Sequence, residues 1–159
     1  ETMFAATLAD ANPDTAFATL RPTLIYGAGD PHNGYGPNKY RRLVLAGEKI
    51  ALFGNGEERR DHVSVLDVAE LAVRMIERRT AGALNATTGR VASFRELAEM
   101  AIGFSDRSIE IENLPRSGPM PHNGYRPFDP AEVLRLFPDF AFTELEAGLR
   151  AAFNEVRDA

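Results

Sequence analysis

An α/β fold with a parallel sheet is predicted by three features of the sequence. Strand-like and helix-like segments alternate along the chain. Residues 16–25, Ala-Phe-Ala-Thr-Leu-Arg-Pro-Thr-Leu-Ile, are an almost unbroken apolar run of strand formers, which suits a strand buried on both faces. Residues 50–76 then write a strand, a Gly-Asn-Gly turn, a second strand and an amphipathic helix in immediate succession.

The first expected element is a short amphipathic helix over 1–11, with Met3, Phe4, Thr7, Leu8 and Ala11 on one side, closed by Asn12-Pro13-Asp14. The strand at 16–25 follows. Pro22 has no ladder donor, so the regular strand should end or bulge there. Gly27, Gly29, Pro31, Gly34, Gly36 and Pro37 make 27–37 a long irregular loop. It is either a plain connector or part of a ligand site, where glycine-rich loops leaving a buried strand commonly lie. A helix over 38–46 turns Tyr40, Leu43 and Val44 inward and ends at Gly47.

Residues 50–53 and 60–65 read as the two strands of a hairpin about Gly54-Asn55-Gly56. The next helix is expected to start at Asp67 as its cap, with Glu70 in the capping-box position. Val68, Leu71, Ala72, Met75 and Ile76 form its apolar face, and Arg78 and Arg79 suit the negative end of its dipole. A strand at 83–86 and a turn at Thr88-Gly89 lead to a helix boxed by Ser93 and Glu96. That helix buries Phe94, Leu97, Ala98, Ala101 and Ile102 and stops at Gly103. A strand at 109–111 and a proline-rich loop at 115–130 follow. Pro130, behind Asp129, starts a helix ending near Phe137. Thr143 and Glu146 box the last helix, whose inward face is Leu145, Leu149, Ala152, Phe153 and Val156.

At 159 residues, 44% hydrophobic and 26% charged, the chain has one domain's worth of sequence and the composition of a globular protein. Its net charge of −5 gives no global basic footprint for nucleic acid. It has no cysteine, hence no disulfide framework and no thiolate metal site, which fits the cytoplasm. No apolar run approaches the roughly 20 residues of a membrane-spanning helix. The chain opens at Glu1, not methionine, already inside its first expected helix, so more sequence is expected upstream.

Two glycine pairs, Gly27-Ala28-Gly29 and Gly54-Asn55-Gly56, invite a dinucleotide reading. The third glycine position holds His32 and Arg59 respectively, and neither pair opens a helix directly, so both are rejected. His32, His62 and His122 are scattered without metal-ligand spacing. There is no Gly-x-Ser-x-Gly nucleophile elbow. Asp61 and Asp67 are read as structural carboxylates rather than a catalytic pair. Arg60 has two readings: a fork for phosphate oxygens, or a salt bridge with Glu57, Glu58 or Asp61.

Three stretches carry a resemblance in chain order. They are Leu20-Arg21-Pro22-Thr23-Leu24-Ile25-Tyr26-Gly27-Ala28-Gly29-Asp30; residues 50–76 with their core Arg60-Asp61-His62-Val63-Ser64-Val65-Leu66-Asp67-Val68-Ala69; and Ala83-Leu84-Asn85-Ala86-Thr87 followed by Ser93-Phe94-Arg95-Glu96-Leu97. Together with Asp129-Pro130-Ala131 and Thr143-Glu144-Leu145-Glu146-Ala147-Gly148-Leu149, they resemble the C-terminal half of the extended short-chain dehydrogenase/reductases, the NAD-dependent epimerase/dehydratase group. The resemblance implies late strands and helices of a Rossmann-like parallel sheet plus a smaller mixed α/β substrate-binding domain. Residues 1–27 would be the nucleotide-binding remnant and 28–159 the substrate-binding region, with segments near 63–90 packing back on the sheet.

It also implies roles. Ala51, Leu52 and Phe53 match the strand flanking the nucleotide base, with Phe53 touching it. Lys39 and Tyr40 fall where a helix start meets the diphosphate and ribose. Arg60 matches an arginine that binds the substrate's diphosphate, and Arg126 a second one, with Arg116 competing. Pro22, Thr23 and Leu24 match the backbone beside the nicotinamide of NAD, NADP being the other option. The substrate would be a nucleotide-sugar and the assembly a homodimer.

The sequence departs from the family's pattern as well. The Tyr-x-x-x-Lys pair and the glycine-rich fingerprint would lie upstream, so this chain alone is expected to be inactive. The strand at 16–25 would then present an edge that invites pairing, as expected of a truncated product or an oligomer. An asparagine that touches the sugar in related epimerases is replaced by Leu24. That leaves open a reductase or dehydrogenase of a non-nucleotide substrate, beside a non-catalytic binding module.

Overall fold

The computed structural model describes residues 1–12 and 14–157, so Pro13 of the expected first turn lies outside the described residues. Its elements are α1 (Thr2–Ala11), β1 (Ala18–Pro22), β2 (Leu24–Tyr26), α2 (Pro37–Ala46), β3 (Ile50–Phe53), β4 (Arg59–Ser64), α3 (Val65–Glu77) and β5 (Gly82–Ala86). β6 (Val91–Ser93), α4 (Phe94–Gly103), β7 (Ile111–Leu114), a 3-10 turn (Pro121–Gly124), β8 (Tyr125–Arg126), α5 (Ala131–Leu136) and α6 (Leu145–Arg157) follow. The fold is mixed α/β with parallel strand pairs, as expected.

The run at 16–25 breaks at Pro22, which supplies no ladder donor. Its first half, β1, pairs in parallel with β5, Ala18 opposite Gly82 and Pro22 opposite Ala86. The amide of Thr23 still reaches the carbonyl of Ala86 at 3.1 Å. The second half, β2, then joins β4, Leu24 opposite His62 and Tyr26 opposite Ser64. The proline thus hands one continuous segment from one partner to another.

β4 is the hub. It pairs in parallel with β2 and β8 and antiparallel with β6. The expected hairpin does not form: β3 pairs in parallel with β7, Ile50 opposite Ile111, instead of with β4. Two glycines explain the divergence. Gly54 and Gly56 adopt φ of 60° and 71°, which other residues rarely take. The Gly54 amide extends the β3–β7 ladder to Leu114 at 2.8 Å, while the Gly56 carbonyl accepts from the amide of Arg95 at 3.0 Å. The chain is therefore drawn off β3 toward α4. β6 and β8 are too short to show a period in the sequence.

Helix starts show which local signals prevail. The Ser93–Glu96 capping box is present in both directions. α3 begins two residues before the expected Asp67, because the Ser64 hydroxyl accepts from the amide of Leu66 at 3.2 Å. Asp67 is buried and spends its carboxylate on Thr143, accepting from its amide at 2.9 Å and its hydroxyl at 2.7 Å. α6 begins at Leu145, two residues after Thr143. α1 forms, but Met3 and Phe4 remain 84% and 71% exposed, so its expected apolar face meets no core among the described residues.

Two apolar clusters result. Tyr26, Tyr40, Val44, Ile50, Leu52, Leu97, Ala98, Leu149 and Phe153 join α2, α4 and α6 to β3. Leu71, Met75, Leu84, Val133, Phe137 and Phe140 join α3 and α5 to β1 and β5. Among the described residues no helix is long and apolar enough to cross a membrane, and no group of His, Cys, Asp or Glu is placed to hold a metal ion.

Candidate functional site

The ten residues singled out in the sequence all line one cleft of about 660 Å³. The bend at Pro22 turns Thr23 and Leu24 toward it. The first turns of α2 bring Lys39 and Tyr40, and β3 brings Ala51, Leu52 and Phe53. β3 alternates, burying Ile50 and Leu52 and leaving Ala51 and Phe53 exposed, so the Phe53 ring stands open to a ligand. β4 brings Arg60, and β8, in register with it, brings Arg126.

Sequence reasoning did not anticipate several further members. Gly34 and Tyr35 come from the glycine-rich loop, Phe94 from the start of α4, and Pro121, His122 and Phe128 from the proline-rich segment. Glu58, in sequence only a salt-bridge partner for Arg60, and Arg116, the rival of Arg126, line the cleft too. A proline-rich loop has no period from which a facing side can be read.

The cleft gathers positive charge over an apolar floor: Lys39, Arg60, Arg116 and Arg126 line it together with Leu24, Tyr40, Leu52, Phe53 and Phe94. Arg60 is only 8% exposed. It donates to the Arg59 carbonyl at 2.7 Å and the Pro121 carbonyl at 3.1 Å, and is ion-paired with Glu58. Arg116 donates to the Phe53 carbonyl at 3.2 Å and lies 3.4 Å from the other Glu58 oxygen, while its buried Nε–H has no partner among the described residues. Arg126 reaches His122 Nε2 at 2.9 Å and lies 5.2 Å over the Phe128 ring. Burial, reinforced by the Glu58 charge, pushes the Tyr40 hydroxyl far above its usual pKa, so it stays protonated.

Asp61 faces the same cleft but is fully engaged. It accepts from the hydroxyls of Thr23 (3.2 Å), Thr87 (2.7 Å) and Thr88 (3.1 Å) and from the amides of Thr88 (3.1 Å) and Gly89 (2.8 Å). The structural duty expected of it is what it performs.

A second cleft of about 680 Å³ adjoins the first through Thr23, Leu24 and Tyr35, and His62 lines it. His62 donates from Nδ1 to the Arg60 carbonyl at 3.1 Å, and its buried Nε2 has no partner among the described residues. Burial, foremost, pushes its pKa from 6.5 down to about 4. The unfolded chain therefore takes up this proton near pH 6.5 and the folded one only near pH 4. Stability is full above that window and falls as pH drops through it, by about 1.4 kcal/mol per unit. Urea unfolding at pH 6.5 and pH 5 is expected to show this slope in the wild type and to lose it in His62→Phe. An equal slope in both proteins would remove His62 as its cause.

The model of the NAD-dependent epimerase/dehydratase family matches residues 3–87. Among curated proteins, the chain is similar to an ADP-L-glycero-D-manno-heptose-6-epimerase of Alkalilimnicola ehrlichii, 27% identical over 88% of this chain and 47% of that protein. It is also similar to a dTDP-4-dehydro-6-deoxy-D-allose reductase of Streptomyces bikiniensis, 30% identical over 58% of this chain and 29% of that protein. The chain thus spans about half the length of the first relative and less of the second. Two solved structures share its fold. One is a UDP-N-acetylglucosamine 4-epimerase from Methanobrevibacter ruminantium (TM-score 0.81, 19% identity, 98% of this chain and 50% of that one). The other is a UDP-glucose 4-epimerase from Thermus thermophilus in complex with NAD (TM-score 0.76, 22% identity, 99% and 51%).

Proposed function

The chain belongs to the NAD-dependent epimerase/dehydratase family, and from that premise we propose that its cleft holds the nucleoside diphosphate part of a nucleotide-activated sugar. The observation that carries the reading is the gathering of Phe53, Lys39, Arg60 and Arg126 with the other six expected residues around one apolar-floored, basic cleft. Phe53 offers an open ring to the base, with Ala51 and Leu52 beside it. Lys39 and Tyr40 meet the ribose and diphosphate, and Arg60 and Arg126 neutralise the phosphates.

Of NAD, this chain supplies one wall. Gly27-Ala28-Gly29 opens a loop and Gly54-Asn55-Gly56 a turn, so no strand–turn–helix cradle for a pyrophosphate exists among the described residues. The Pro22–Leu24 bend lies at the cleft wall, where a nicotinamide could rest. The hydride exchange that NAD supplies requires groups outside this chain, which by itself is inactive. The whole protein acts in the cytoplasm as a homodimer, with residues 1–27, joined by segments near 63–90, on the nucleotide-binding side. Leu24 lines both clefts and gives the wall an apolar stretch where a sugar-binding amide would sit. That favours, as second reading, a reductase or dehydrogenase of a non-nucleotide substrate.

Thermal unfolding with UDP, dTDP, ADP and GDP separates the two. At a hundred times Kd, a ligand bound only by the folded state adds about 2.7 kcal/mol, a rise of roughly 5–10 °C for a chain this size. At least one nucleoside diphosphate is expected to give it at millimolar concentration. No shift with any of them sinks the nucleotide reading.

A further inference from the structure

The arginine fork of the cleft is already filled from within the chain. The Glu58 carboxylate spans two guanidiniums, one oxygen ion-paired with Arg60 and the other 3.4 Å from Arg116. The Glu58 side chain is 12% exposed and that of Arg60 10%, so the three charges meet largely away from bulk water. Glu58 is set in place by the backbone: its carbonyl accepts from the Phe94 amide at 3.1 Å, just after the left-handed Gly56. Arg60 has two carbonyl acceptors of its own and Arg116 has one. Neither guanidinium needs the carboxylate to hold its position. What Glu58 contributes is charge, lowering the fork from two positive charges to one.

We propose that Glu58 is a built-in competitor that makes this cleft select ligands with two phosphoryl groups over ligands with one. The proposal rests on reading the cleft as a diphosphate site. An anion entering the fork must displace Glu58 or sit beside it. An anion with a single phosphoryl group that displaces it exchanges one bridging anion for another, and beside it meets only one net positive charge. A diphosphate presents two separately charged groups, one for Arg60 with Arg126 beside it on β8, and one for Arg116, whose partnerless Nε–H is a ready donor. Two new pairs can then offset the loss of the Glu58 contacts, and the carboxylate turns toward the cleft mouth.

Inorganic pyrophosphate and orthophosphate, titrated calorimetrically into the wild type, Glu58→Gln, Glu58→Ala and Arg60→Ala, test this without assuming a base or sugar. The wild type is expected to prefer pyrophosphate by at least about tenfold. Removing the Glu58 charge is expected to tighten both ligands, orthophosphate most, by about tenfold at low salt, so that the preference narrows. If both Glu58 variants keep the wild-type preference while Arg60→Ala loses pyrophosphate, the competitor is overturned and the diphosphate site stands. If no protein binds pyrophosphate, both readings fall. If both Glu58 variants lose the fold by circular dichroism, Glu58 is a structural ion-pair partner and the proposal is likewise overturned.

Discussion

Replacing Asp61 with alanine is expected to cost about 3–5 kcal/mol of folding stability, a large part of what a domain of this size possesses. The carboxylate is 1% exposed and collects five donors from Thr23, Thr87, Thr88 and Gly89. Those donors come from the β1–β2 bend and from the loop between β5 and β6, so one side chain of β4 ties together segments distant in sequence. Removing it leaves the buried Thr87 hydroxyl and four part-buried donors without their acceptor, at roughly 1–3 kcal/mol for each group that water cannot reach. An asparagine side chain in its place would keep one acceptor oxygen, so Asp61→Asn is expected to fall between. Urea midpoints of the three proteins at pH 7 check the order. An alanine variant within about 1 kcal/mol of the wild type would mean that water replaces the carboxylate without penalty, and the buried knot would be an overstatement.

Arg60→Ala is expected to weaken nucleoside diphosphate binding by about 2–5 kcal/mol, roughly thirtyfold to several thousandfold. The side chain is almost wholly enclosed, is aimed by the Arg59 and Pro121 carbonyls, and faces the cleft as a planar fork. Arg60→Lys keeps the charge but not the fork, so it should recover part of the loss. Calorimetry with whichever diphosphate raises the melting temperature most provides the measurement. A threefold effect or less in Arg60→Ala would take this arginine out of the site.

Much of this arrangement was legible wherever the signal was local. Ser93 and Glu96 lie three residues apart, and their mutual capping needs only a helix turn to form. Pro22 announced a broken strand because a missing amide acts in any context. Partnership was less legible. Nothing near residues 50–65 says that β3 prefers β7, more than fifty residues away, to the strand next to it. The period of a strand reveals its faces but not its neighbour. Ser64 with Asp67 three residues on is a capping signature that competes with Asp67 and Glu70, and it is the one the helix uses. The site residues were found through resemblance to a family and not through their own pattern. Arg116 shows the limit of both routes: it sits in a loop without period, two residues past β7, and the β3–β7 pairing sets it at the cleft, donating to the Phe53 carbonyl.

The central position of β4 also bears on how such a protein can diversify. Three strands take their alignment from it, and Arg60 and Asp61 are adjacent on it with opposite duties. Inserting or deleting a single residue within 59–64 would turn Arg60 away from the Pro121 carbonyl and Asp61 away from its threonines. The loops at 27–36 and 115–124 also furnish walls of the cleft, yet hold no such alignment, and surface loops accommodate changes of length at small cost. New ligand preferences should therefore arise through length variation in those two loops, with β4 admitting substitutions but no change in residue count.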